Sequence, residues 1–111
     1  MAAVANLRID QGASFSSDVT VTNSDGNAVD LSGYTTEAKL AKSYGASSSV
    51  SFTTSIADDT STGVITLSLN DTQTGALDAP ARYVYDVYIT QTSSSTVTRV
   101  IEGVITVNPK V

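Results

Sequence analysis

The chain has no histidine, no cysteine and no tryptophan among its 111 residues. Without histidine, the commonest general base and metal ligand is missing. Without cysteine there is neither a disulfide framework nor a thiolate metal site. The two gaps together exclude the usual Ser-His and Cys-His nucleophile arrangements. No Ser-x-x-Lys and no Gly-x-Ser-x-Gly pattern occurs either. Charge is also scarce: six Lys and Arg stand against eleven Asp and Glu, for a net charge of −5. The basic residues, Arg8, Lys39, Lys42, Arg82, Arg99 and Lys110, are scattered. They form no basic stripe, so no nucleic-acid partner is expected. No apolar run is long enough to span a bilayer, so no membrane partner is expected. Met1 to Asn6 lacks the basic region and apolar run of a signal peptide, so independent secretion is not expected.

Hydroxyl side chains take the place of charge. Ser and Thr each supply roughly one residue in seven. Thr suits exposed strand faces and Ser suits turns, which points to an all-β domain. The length suits a single domain.

The strongest strand signal is Arg82 to Thr90, dense in aromatic and β-branched residues. A polar turn, Gln91 to Thr96, joins it to a second long run, Val97 to Val107. The two read as an antiparallel hairpin. Alternation puts Tyr83, Tyr85, Val87 and Ile89 on one face, and Val97, Ile101, Ile105 and Val107 on one face of the partner strand. It puts Arg99 and Glu102 on opposite faces.

Earlier in the chain, Asn6 to Asp10 and Ser14 to Thr22 alternate as strands, the latter with Phe15, Val19 and Val21 inward. Asp25-Gly26 suits a tight turn. Val29 to Leu31 reads as a brief edge element. Tyr34 to Tyr44 combines helix propensity with period-two alternation and reads as a strand, because strand signals surround it. Val50 to Ile56 and Val64 to Leu69 alternate cleanly. Asn70 and Gln73 form a capping box, which predicts one helical turn that packs Leu77 under the sheets. About seven strands with regular turn signals predict an antiparallel sandwich. Tyr83, after a short helical connection, is similar to the tyrosine corner of immunoglobulin-like sandwiches. The fold class expected is therefore an all-β, immunoglobulin-like antiparallel β-sandwich with one short helical turn.

Carboxylates are the remaining route to chemistry. Asp58 and Asp59 adjoin in a turn and read as solvated turn residues. No EF-hand spacing is present. No catalytic residue, metal or cofactor is expected, and the chain reads as a non-enzyme. Two segments read as contact sites. Arg82, Asp86 and Tyr88 share the outer face of their strand, and Tyr and Arg anchor interfaces. Ala2, Ala3, Val4, Ala5 and Asn6 precede the first strand and are small, uncharged and flexible in composition. They read as an arm, residues 1–5, before a single domain, residues 6–111; the arm is expected to order only against a partner. Tyr34 and Tyr44 read as core residues first.

Five blocks carry a resemblance: Asn6 to Phe15 (NLRIDQGASF), Asp25 to Tyr34, Gly63 to Leu69 (GVITLSL), Arg82 to Asp86 (RYVYD) and Arg99 to Val107 (RVIEGVITV). In this order, over nearly the whole chain, they resemble small virion proteins of tailed phages, especially marine cyanophages. The order of elements is also similar to the immunoglobulin-like N-terminal domain of phage upper-baseplate proteins. The resemblance implies a non-catalytic virion structural protein, assembled in the host cytoplasm in many copies. Its implied partners are other phage structural proteins of the capsid or tail lattice. The chain ends at Val111 without the downstream segments of the upper-baseplate family, which favours capsid decoration or an accessory role. A tail, baseplate or neck adaptor is the alternative. A host-surface carbohydrate-binding module, using Tyr88 and Asp86, is the third.

Overall fold

Strict alternation in the strand Ala81–Gln91 builds the core of the protein. The computed structural model describes residues 3–23, 25–46 and 48–110. Its strands are β1 (Ala3–Val4), β2 (Leu7–Asp10), β3 (Phe15–Thr20), β4 (Tyr34–Ala41), β5 (Val50–Ser51), β6 (Thr53–Ile56), β7 (Val64–Leu69), β8 (Ala81–Gln91) and β9 (Thr96–Asn108). A 3-10 turn, Thr60–Thr62, precedes β7, and one short helix, α1 (Asp71–Gly75), follows it. The strands form two sheets. One runs β9-β8-β4-β5, with β1 and β2 both on the free side of β9; the other runs β3-β7-β6. This is an all-β sandwich. Its β3-β7-β6 layer takes the places of immunoglobulin strands B, E and D, and β9-β8-β4-β5 those of G, F, C and C′.

Tyr83, Tyr85, Val87 and Ile89 all point inward from β8 and are buried. They meet Ile65, Leu67 and Leu69 from the facing sheet, with Ile101, Ile105 and Val107 beside them. Three aromatic rings bridge the layers. Phe15 lies 6.1 Å from Phe52, and Phe52 lies 6.2 Å from Tyr85, edge to face. Such tilted pairs add to the burial of large apolar area. The tyrosine corner is present: the Asp78 N–H donates to the Tyr83 hydroxyl oxygen at 2.8 Å, five residues upstream. The capping box also forms, with Asn70 Oδ1 accepting from the Gln73 N–H and Gln73 Oε1 from the Asn70 N–H. Leu77 is buried below it. The helix has a further anchor in Thr74, which is fully buried. Its hydroxyl donates to the Ala13 carbonyl and accepts from the Gly12 N–H.

Several sequence expectations need correction. Val50 to Ile56 is not one strand. It crosses between sheets at Phe52: β5 pairs with β4, and β6 pairs with β7. Both halves still alternate, which is why the break leaves no mark in the pattern. The strand expected over Tyr34 to Tyr44 ends at Ala41, and Lys42 to Gly45 turn away. Tyr44 is exposed, not core. Val29 to Leu31 is no strand; a single bridge, Thr22 to Ala28, stands in its place, and Leu31 is buried.

The expected arm is also corrected. Ala2 lies outside the described residues. Ala3 and Val4 pair in parallel with Ile101 and Glu102, so they belong to the sheet, and the sandwich is not purely antiparallel. The pairing continues through Ala5, whose N–H donates to the Glu102 carbonyl at 2.9 Å. Asn6 Oδ1 then accepts from the Val104 N–H at 3.1 Å. The Ala5 carbonyl turns inward and accepts from the Tyr85 hydroxyl. It can do so only because Gly103 sits beneath it. A Cβ at Gly103 would lie 2.0 Å from the Ala5 oxygen. Composition reads this segment as loose because its side chains carry nothing; the backbone and one glycine hold it.

Gly103→Ala should therefore push the N-terminal strand off β9. A loss of about 1–3 kcal/mol is expected, the range for forcing atoms into a packed site. Chemical denaturation would measure it. Hydrogen exchange should show lost protection at Ala5, and unchanged protection there would refute the account.

Candidate interaction face

The outer face of the larger sheet gathers a cluster of charges of both signs. Period two directs Arg82, Val84, Asp86, Tyr88 and Thr90 outward from β8. Opposite them on β4 stand Glu37, across from Tyr88, and Lys39, across from Asp86. On β9 the register slips between Val87 and Tyr88: Val87 faces Ile101, but Tyr88 faces Arg99. Val100 is the extra residue of this bulge. A bulge inverts the phase of everything beyond it.

The slip has two consequences. It turns Val97 outward, where it is 60% exposed, although simple alternation placed it with Ile101 and Ile105. It also brings Arg99 and Glu102 onto one face, although alternation separates them. Arg99 Nη2 then lies 2.7 Å from Glu102 Oε2, and its Nε lies 3.6 Å from Asp86 Oδ2. Nothing in the sequence marks the slip: the adjacent apolar pair Val100-Ile101 accompanies it, but Val104-Ile105 in the same strand keeps its register.

A third side chain closes on Arg99 from the loop after β4. The guanidinium carbon lies 5.1 Å from the centre of the Tyr44 ring, in cation–π geometry. Beneath this loop is a shallow pocket of about 150 Å³, lined by Lys39, Ala41, Tyr44, Val84 and Asp86. Burial pushes the Asp86 carboxyl above its ordinary range; Arg99 opposes this, and Glu102 and Glu37 add to it. Burial, with a smaller contribution from the Tyr44 phenol, pushes the Tyr85 hydroxyl up to about 12. Tyr85 therefore stays a donor to Ala5 at neutral pH.

The sequence-named residues divide as follows. Asp86 and Tyr88 adjoin in this cluster and are half-buried. Arg82 shares the face but lies four residues away, about 13 Å along the strand, and is exposed. Val4 pairs with Glu102 and is 68% exposed, so it extends the same face. Ala3 pairs with Ile101 and so takes the inward side. Ala5 and Asn6 act through the backbone and cap contacts described above. The two candidate segments thus meet on one surface. Alternation could not place Arg99 or Val97 on it, nor a loop residue such as Tyr44.

Between the sheets, at the end near the bulge, lies an open cleft of about 590 Å³. Its lining is mixed, with Val21, Val29, Ile89 and Val100 beside Asn23 and Arg99. Among the described residues, no group of three or more acidic side chains is placed to hold a metal ion. Neither a protein-family model nor a curated protein sequence matches this chain.

The raised Asp86 carboxyl has a definite sign. Its folded state binds a proton more readily than its unfolded state, so its contribution to stability is present at low pH and lost as pH rises through the folded value. Asp86→Asn should therefore look better relative to the natural chain near neutral pH than near pH 4. The difference should stay within about 1 kcal/mol, given the exposure of the cluster. Urea melts of both proteins at the two pH values would show the opposite order if Arg99 outweighed burial.

Proposed function

We propose that this protein is a non-catalytic structural component of a tailed-phage particle, docking on its surface as a capsid decoration or accessory protein. Support comes from the block-by-block resemblance and from one structural observation. The outer face of the larger sheet presents Tyr44, Tyr88, Arg82 and the Asp86-Arg99-Glu102 cluster beside the exposed Val4, Val97 and Val104. Tyr and Arg are the residues that most often anchor interfaces, and a polar rim around apolar contacts is their usual setting. The paired strands β8 and β9 hold all of these side chains except Tyr44 and Val4, so docking through them costs little ordering entropy. In this reading the partners are lattice subunits of the particle, and the work is binding alone.

Quantitative mass spectrometry of purified particles tests the reading. Hundreds of copies per particle are expected for capsid decoration. A count from about six to a few dozen, set by the symmetry of a neck or baseplate, would favour the adaptor reading. Absence from particles would refute both. Replacing Arg82 and Tyr88 together by Ala should lower incorporation at least about tenfold, since each anchor lost costs more than about 1 kcal/mol. Unchanged incorporation of a folded variant would move the docking surface elsewhere.

A further inference from the structure

On one side of the sandwich the crossover covers part of β4, while the four-residue β6, whose only strand partner among the described residues is β7, ends the smaller sheet. In the crossover the Phe52 N–H donates to the Ala38 carbonyl at 2.9 Å, and the Thr54 hydroxyl donates to the Thr36 carbonyl at 3.2 Å. The other side ends in β2 and β3. Along the β1/β2 edge the Ala5 carbonyl turns inward to the Tyr85 hydroxyl, so β1 and β2 are two short strands and not one. β3 is different. It is continuous over six residues, and β7 is its only strand partner among the described residues. Natural sheets guard such edges with Lys, Pro, bulges or inward charges. β3 (FSSDVT) has no Lys, no Pro and no bulge in its register with β7. Its one charge, Asp18, is tied to its own sheet: it accepts a hydrogen bond from the Thr66 hydroxyl of β7 at 2.7 Å. The remaining outward side chains, Ser16 and Thr20, are short.

We infer that the β3 edge pairs with the β3 edge of a second copy of this chain, antiparallel across a two-fold axis. The inference does not depend on the virion reading. The sequence of the strand selects the register. Inner faces must stay inner, so the axis passes through a residue and not between two. An axis at Asp18 would set two carboxylates opposite one another, which is unfavourable. An axis at Ser17 sets Phe15 opposite the partner's Val19 and Ser16 opposite the partner's Asp18. It gives Phe15, only half-buried in one copy, an apolar cover, and gives Asp18 a second hydroxyl donor. The product is one continuous sheet of six strands, three from each copy. An isologous contact of this kind closes on itself, so it gives a dimer and not a fibre.

Sedimentation velocity over a concentration series tests the pairing. The interface is small, so a Kd on the order of 100 µM is expected. The chain has no cysteine of its own, so single replacements report cleanly. Ser17→Cys should oxidise to a cross-linked dimer at least about tenfold faster than Ser94→Cys in the distant hairpin turn, because Cβ atoms directly opposite across strands approach disulfide reach. Ser17→Lys should give a folded monomer, since an inward-pointing charge on an edge strand is one of the devices by which natural sheets block edge pairing. The inference fails if the natural chain stays monomeric up to about 1 mM. It fails equally if Ser17→Cys cross-links no faster than the control, or if folded Ser17→Lys still dimerises. Should Ser17→Lys unfold, the cysteine comparison decides alone.

Discussion

At Gly103 three segments meet in the space that a side chain would fill. The N-terminal strand lies on β9, its Ala5 carbonyl turns in, and the Tyr85 hydroxyl of β8 rises to meet it. Tyr85 is itself fully buried and stacks edge-on against Phe52, the residue at which the chain changes sheets. Phe52 in turn touches Phe15 of the opposite layer. A single missing side chain therefore connects the N-terminal edge, the central strand, the sheet crossover and the second sheet. A buried carbonyl without a donor would cost about 1–3 kcal/mol, so the Tyr85 hydroxyl is as much a part of this joint as its ring.

The same joint governs the candidate interaction face. With the N-terminal strand held on β9, Val4 lies beside Glu102 and widens the outer surface of the larger sheet. The bulge at Val100 adds the rest by rotating Arg99 into line with Glu102 and Asp86. Partly desolvated charges of opposite sign, held at fixed spacing, contribute little to stability but define an electrostatic pattern that a partner must match. The smaller sheet is built on the opposite principle. Its outer face carries hydroxyls and one internally bonded carboxylate, and its edge strand β3 has β7 as its only strand partner among the described residues. One side of the molecule thus offers side-chain chemistry, and the other offers main-chain hydrogen bonds.

The sequence by itself determined the all-β class, the inward residues of β8, the capping box before α1 and the tyrosine corner. Each rests on a local rule: alternation with period two, or a side chain that bonds to backbone a few residues away. Tertiary structure alone decided the rest. The crossover at Phe52, the phase slip at Val100, the parallel docking of Ala3 and Val4 and the exposure of Tyr44 all depend on which strand lies alongside. A strand's own pattern is the same whether it stays in one sheet or changes sheets. It is likewise blind to a one-residue slip in its partner. Those choices are made by contacts between residues far apart in the chain, such as Asn6 and Val104, 98 positions apart, and pairwise geometry at that range is not written in any local window.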